Sequence, residues 1–378
     1  MPTLLSRLRE GALPRHVDRL AGTPLLWLLG ACRRKRPVPP RARRFGVMAF
    51  ETIGDTLLAG TLLASLRAAR PDVEIVVFAS RGNRGILPLL DGIAQVVEVP
   101  LTQPLRALRA IRSVPVDVMI DIGQWPRWYA VLCALSRSAF TIGFATPGQG
   151  RHYAYDATVP HGRDVHEAAN FQRLLAPLGV PPRPPAAALK PVAAPPPAIA
   201  ARAAYVVVHP WASGFRYVSR EWPQACWAAL IGRLGACGLT VLVSGGPADR
   251  RKSAALVQAC EPGADVVSIA GELSLPELAA VLRGARAVVA VNTGVMHLAA
   301  LLDAPLVALH GPTSRRRWGP VGARSVALAP ADASGCEFLH LGFEYPDGPV
   351  DCMQRIDVDT VFDAVRAAMS QAEPSAAG

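Results

Sequence analysis

Lysine is nearly absent from this chain of 378 residues, occurring only as Lys35, Lys190 and Lys252, so the net charge of +11 comes almost wholly from arginine. Arginine offers a planar fork that suits phosphate and carboxylate, and a chain this basic suits nucleic acid, anionic lipid or phosphorylated substrates. A GC-rich genome explains the abundance of arginine and alanine equally well. Metal-ligand spacing is missing too. The cysteines (Cys32, Cys133, Cys226, Cys237, Cys260, Cys336 and Cys352) contain no CxxC. Their odd number and scatter through hydrophobic stretches read as reduced, buried thiols of a cytosolic protein, with no zinc site. No GxGxxG fingerprint is present, which leaves nicotinamide binding little support, and no other cofactor is implied. No basic motif interleaved with aromatics exists, so nucleic-acid binding rests on charge alone. No apolar run reaches the roughly 20 residues that cross a bilayer.

What is present begins with an unusual leader, residues 1–44. "TLLSRLRE" and "TPLLWLLGAC" meet "RRKRPVPPRARR". Charge follows the apolar stretch, the wrong order for a secretory signal, and the basic residues after Cys32 argue against a lipoprotein cleavage site. A basic, amphipathic membrane-associating extension and a disordered basic tail both fit. From 45 to 176, short β-branched runs ("RFGVMAF", "VEIVVFAS", "VVEVP", "VDVMIDI", "FTIGF") alternate with helical periodicity, including helices over 83–91 and 104–113. This is the pattern of βαβ units and a parallel sheet. Residues 177–204 are Pro- and Ala-rich and read as an interdomain linker. Alternation resumes over 205–356, and 357–378 hold a final helix and tail. The fold class is α/β, with two similar domains in tandem and ligand crevices expected at the carboxyl ends of the strands.

Candidate site residues sit at those strand ends. Gly54 and Asp55 lie where the first strand turns into a helix; Asp55 serves either as a helix cap or as a carboxylate in the crevice. In "VSGGPADR", glycines precede a helix N-terminus that attracts anions, and Asp249 fits either a ribose contact or ordinary dipole compensation. "VNTGVMHLAALL" is more informative. A strand ends at Asn292, Thr293-Gly294 makes the turn, and the opening helix offers free N–H groups to a diphosphate. His297, one turn in, is placed to add a bond. The loop "WASGFRYVSREWP" projects hydroxyls, Arg216 and Arg220 at the same edge, while Trp222 reads as a packing anchor. Arg315, Arg316 and Arg317 form a run that is either a solvated face or an anion contact.

Taken in order, these motifs resemble the family 9 glycosyltransferases, the bacterial lipopolysaccharide heptosyltransferases and their relatives. "GDTLLAGTLLASLRAARPDVEIVVFAS", "DVHEAANFQRLLAPLGVP", "SREWP", "SGGPADR", "IAGELSLPELAAVL" and "VNTGVMHLAALLDAPLVALHGPT" follow in the family's order across most of the chain beyond the leader. The resemblance implies the GT-B fold: two Rossmann-like domains with parallel sheets facing a central cleft, acceptor on the N-terminal side and nucleotide-sugar donor on the C-terminal side. It implies inverting, metal-independent transfer, most often of heptose from ADP-heptose, to a lipid-linked or oligosaccharide acceptor of the lipopolysaccharide core. That places the protein in the cytoplasm, peripheral at the inner face of the inner membrane, with no nucleic-acid partner. By the same resemblance Asp55 is the general base, Arg220 neutralises the departing diphosphate, Asp249 binds ribose and Leu273 lies beside the base. Thr293, Gly294 and His297 contact phosphate and sugar, and Ser213 is a looser match. Asn292 stands where the family has aspartate, and Arg220 where it has lysine. An inactive nucleotide-sugar-binding scaffold for envelope assembly, and a nucleotide-sugar epimerase of GT-B shape, are the competing readings.

Overall fold

Strands that are apolar on both faces need cover on both faces, and helices between them supply it in parallel sheets. The computed structural model describes residues 12–202, 204–340 and 344–371. The chain divides into two compact units, Met1–Lys190 and Pro191–Gly378. In the first, β1 (Arg44–Ala49), β2 (Glu74–Ala79), β3 (Gln95–Glu98), β4 (Val116–Asp121), β5 (Ser138–Ala145) and β6 (Ala157–Pro160) lie in the order β3-β2-β1-β4-β5-β6, all parallel. In the second, β7 (Tyr205–His209), β8 (Thr240–Val243), β9 (Val266–Ser268), β10 (Ala287–Val291), β11 (Leu306–Leu309) and β12 (Ser325–Leu328) lie in the order β12-β11-β10-β7-β8-β9, again all parallel. Each order reverses beside the first strand of its unit, between β1 and β4 and between β7 and β10. Such a reversal opens a ligand crevice at the carboxyl edge.

In the first unit the helices are α1 (Ala12–Ala31), α2 (Ile53–Ala69), α3 (Pro104–Arg112), α4 (Arg127–Ala134) and α5 (Glu167–Arg173). The second has α6 (Pro197–Ala200), α7 (Gln224–Ala236), α8 (Arg250–Gln258), α9 (Leu275–Gly284), α10 (Gly294–Leu301), α11 (Arg315–Trp318) and α12 (Val358–Ser370). The helix expected over 83–91 is a 3-10 segment, Arg84–Leu89, with Pro88 inside it; proline there removes a donor and works against a regular α-helix. The short edge strands β6 and β12 were not anticipated. Part of the Pro-rich stretch packs on the first unit: Asp91 N donates to Ala188 O and Lys190 N to Leu89 O, both at 2.9 Å.

The cysteine expectation needs correction. Cys336 and Cys352 form a disulfide, with Cα atoms 5.8 Å apart. Folding of two loops brings them within bridging range, which spacing along the chain does not reveal. Of the free thiols, Cys133 is buried, whereas Cys32 and Cys237 are exposed.

The leader is also different from a disordered tail over its described part. Helix α1 buries Leu26 completely, and its Asp18 carboxylate accepts from the backbone N–H groups of Arg127 (3.1 Å) and Trp128 (3.0 Å) at the start of α4. A Cβ at Gly22 would stand 2.7 Å from Arg127 Cβ, so glycine permits this close approach. Arg33 and Arg36 then turn inward onto Asp156, at 2.9 and 2.8 Å. Thr141 donates to the same carboxylate from its backbone N–H and its hydroxyl. Burial alone would raise the Asp156 pKa, but the Arg36 hydrogen bonds and the Arg33 charge outweigh it and hold the carboxyl below its usual range. Removing one partner of a buried pair strands the other's charge. Asp156→Ala is therefore expected to lower stability by about 3 kcal/mol in denaturant titration and to speed amide exchange across residues 18–40. Exchange as slow as in the wild type would show that this carboxylate does not hold the leader.

Candidate functional site

In the first unit the crevice edge is built where β1 runs into α2. Thr52 is the N-cap, and Asp55 completes a capping box with it. Thr52 Oγ1 donates to Asp55 Oδ2 at 2.6 Å, and Thr52 N donates to the same oxygen at 3.2 Å. Gln124 Nε2, from the turn after β4, donates to Asp55 Oδ1 at 3.2 Å. Asp55 thus performs the capping role, and the same bonds fix its carboxylate at the carboxyl end of β1, 8% exposed. Through Gln124 the site adjoins the end of β4. Asp121, at the end of that strand, accepts from Arg151 Nη2 and from the Tyr155 hydroxyl, both at 2.7 Å, and from Gly123 N at 2.8 Å. Arg151 and Asp121 are completely buried. Burial works against the Arg151 charge, but Tyr155 and Asp121 overcome it and raise its pKa.

Glu51, absent from the sequence-derived candidates, lies in this neighbourhood. Its Oε1 is buried with no hydrogen-bond partner among the described residues. Burial, reinforced by the Asp55 charge, pushes its carboxyl up to about 8, against the pull of Arg151. An acid immediately after an apolar strand was the available signal. The "HEAAN" segment proves structural within its unit. His166 caps α5, Glu167 Oε1 meets His161 Nε2 at 3.0 Å, and Asn170 Nδ2 donates to Gly162 O at 2.9 Å.

In the second unit, β7 ends at His209, whose ring burial pushes down to about 4. The following loop is tied together before α7. Trp211 Nε1 donates to Ser253 Oγ at 2.7 Å, and Ala212 N donates to Glu221 Oε1 at 3.1 Å. Arg220 Nη2 donates to the Ser213 carbonyl, so those two expected residues are brought together. Arg216 leans the other way, onto the Tyr345 ring at 4.7 Å and the Pro346 carbonyl at 3.1 Å. Asp249 caps its own helical turn, accepting from Gly246 N at 2.9 Å, and it pairs with Lys252 at 3.4 Å. Lys252 was not among the candidates. Its ammonium also meets Glu221 at 2.8 Å and lies 4.5 Å above the Trp211 ring. Burial lowers the Lys252 pKa, but Glu221 and Asp249 more than compensate and raise it. A Cβ at Gly245 would stand 2.9 Å from both Trp211 and Asp249, so glycine lets these segments close up. Leu273 is half-buried just before α9.

The end of β10 is the most open to ligand chemistry. Thr293 is the N-cap of α10, in extended backbone, but its side chain makes no capping bond. Its Oγ1 is buried without a hydrogen-bond partner among the described residues. Gly294 begins the helix, and His297 is buried one turn in. A helix N-terminus with an idle hydroxyl beside it suits an anion.

Residues 176–337 match the profile of "Glycosyltransferase family 9 (heptosyltransferase)". This part of the chain is therefore similar to the family 9 glycosyltransferases. Lipopolysaccharide heptosyltransferase 1 of Pseudomonas aeruginosa is 36% identical over 142 residues, 38% of this chain and 35% of the relative. The aligned stretch thus spans about a third of that curated relative. The solved Escherichia coli ADP-heptose lipopolysaccharide heptosyltransferase II is similar over 88% of this chain and 100% of its own, with TM-score 0.71 and 18% identity. An Escherichia coli heptosyltransferase solved with ADP gives TM-score 0.67 at 19% identity over 86% of this chain and 99% of its own. These likenesses establish the GT-B fold class for the two parallel six-stranded sheets.

Within the matched segment the remaining candidates separate. Asn292 Nδ2 donates to the Trp318 carbonyl at 3.0 Å, a bond an aspartate carboxylate has no proton to make. The three arginines have different surroundings. Arg315 forms a two-pronged pair with Glu337, at 2.9 and 3.0 Å, and Arg317 is completely buried. Arg316 is exposed.

Glu51 generates a pH prediction. Its folded pKa lies above the ordinary value, so between about pH 4.5 and 8 the native state holds a proton that the unfolded chain releases. The slope of stability with pH is then negative, and this contribution is lost as pH rises through that window. Glu51→Gln is expected to gain on the order of 3 kcal/mol relative to the wild type between pH 5 and pH 8 in denaturant titration. A pH-independent difference would mean Glu51 ionises normally.

Proposed function

We propose that the protein is an inverting, metal-independent glycosyltransferase. It moves heptose from ADP-heptose to a lipopolysaccharide-core or related envelope glycan acceptor, working at the inner face of the inner membrane. The observation that carries this reading is the partnerless, buried Thr293 hydroxyl at the start of α10, within the segment that matches family 9. The names of the relatives support the sugar and nucleotide: one is a lipopolysaccharide heptosyltransferase, another an ADP-heptose heptosyltransferase.

In this reading Asp55 removes the proton of the acceptor hydroxyl as the oxygen attacks the anomeric carbon. The bond from that carbon to the diphosphate breaks on the opposite face, which inverts the configuration. ADP leaves with the bonding electrons, and its growing charge is met by the Arg220 guanidinium and the N–H groups at the start of α10. Ser213 supports Arg220 through its carbonyl. Asp249 and Leu273 face the nucleoside, and Asn292 and His297 border the sugar and phosphates. The basic side chain and helix terminus do the electrostatic work that a divalent ion does elsewhere.

Three substitutions and a chelator test the reading. Asp55→Ala is expected to cut transfer by about a thousandfold while ADP affinity in calorimetry stays within a few fold; substantial turnover at neutral pH would dismiss Asp55 as the base. Arg220→Ala and Thr293→Val are each expected to weaken ADP binding about tenfold, the equivalent of one strong hydrogen bond. Unchanged affinity would remove either residue from the donor site. Excess chelator should leave the rate within about twofold, and complete loss restored by a divalent ion would refute metal independence.

A further inference from the structure

The outward side of α1 is left over when its inner side has packed. Leu20, Pro24, Trp27, Leu28 and Ala31 recur at the spacing of one helix face, and all are exposed. Leu20 is 74% exposed, Trp27 59% and Leu28 53%, with Leu25 at their margin. The stretch from Leu20 to Ala31 contains no charged residue. Tyr153 is also exposed and lies against Gly30, where a Cβ would stand 2.9 Å from its own. The patch therefore continues from the helix onto the body of the unit. An exposed apolar helix face that carries a tryptophan is unusual on a surface that meets only water.

The charge beside it says what covers it. In the run Arg33-Arg34-Lys35-Arg36, the outer two turn inward to Asp156, and the middle two are exposed. Arg41 and Arg43 follow, also exposed. An apolar helix face with tryptophan, flanked by cations, matches the boundary between headgroups and acyl chains of an anionic bilayer. Among the described residues no helix is long and apolar enough to cross a membrane, and the inner side of α1 is already occupied. It can lie in the interface but not insert through it.

We infer that the outer face of α1, with Trp27 and Leu28 at its centre and Arg34 and Lys35 beside it, is a peripheral docking surface for an anionic lipid bilayer. The helix is a rigid part of the first unit through Leu26, Asp18 and the Asp156 clamp, so docking fixes the orientation of that unit on the membrane. The inference deepens the proposed function by naming how a lipid-linked acceptor is approached, and it rests on that reading only there.

The test is co-sedimentation of the full chain with vesicles of phosphatidylethanolamine and phosphatidylglycerol, against vesicles of phosphatidylcholine, with no sugar donor present. Membrane binding and glycosyl transfer are thus measured apart, and either can fail alone. Binding is expected to the anionic vesicles and to fall at least tenfold in Trp27→Ser/Leu28→Ser and in Arg34→Glu/Lys35→Glu. Thermal midpoints and ADP affinity should remain those of the wild type, because these side chains are exposed. Equal binding by wild type and both variants overturns the inference. So does a wild type that ignores vesicles but is converted from dimer to monomer by the Trp27→Ser/Leu28→Ser change, which assigns the face to a second copy. Binding that arises only after deletion of residues 1–11 also overturns it, because the face is then covered by the chain itself.

Discussion

A parallel sheet that winds outward from its first strand, first to one side and then to the other, leaves a gap at the carboxyl edge beside that strand. The two neighbouring connections depart in opposite directions, and no crossover helix covers the space between them. Both units obey this constraint. In the first, the gap lies between β1 and β4 and is bordered by Glu51, Asp55 and Gln124. In the second, it lies between β7 and β10, with Thr293 and Gly294 at the turn after β10 and Arg220 in the loop that follows β7. Candidate chemistry therefore gathers where the topology leaves helix N-termini open at the strand ends.

Several candidate residues already hold a structural job. Asp55 and Asp249 each complete the first turn after a strand, which is the ordinary work of an acid at that position. Such bonding also pre-orients a carboxylate, so a cap is compatible with a functional site. Thr293 is the contrasting case. It occupies the N-cap position, yet its hydroxyl takes no part in capping. Polar atoms buried without partners are uncommon in folded proteins, which is why this one carries more weight than its better-bonded neighbours.

The alternating strands and helices were legible because side-chain period is a local property, and the strand ends that hold Asp55, Arg220 and Thr293 were legible for the same reason. The edge strands β6 and β12 were not, since each is four residues long and only partly buried. Long-range pairing was likewise hidden. Nothing local joins Arg33 and Arg36 to Asp156, Arg151 to Asp121, or Cys336 to Cys352. The different surroundings of Arg315, Arg316 and Arg317 could not be read from three identical letters. Glu51 and Lys252 escaped because their neighbours, Asp55 in one case and Trp211 and Glu221 in the other, matter only after the loops have closed.

The scarcity of one amine gives Lys252 a practical consequence. It is the single lysine of the second unit, and its side chain is about one-third exposed beside Asp249, Glu221 and Trp211. A lysine-selective acylating reagent therefore has one side-chain address in that unit, and it is next to the loop that carries Arg220. While the ammonium is held by two carboxylates it is a poor nucleophile, so the rate of labelling reports how often that grip is released.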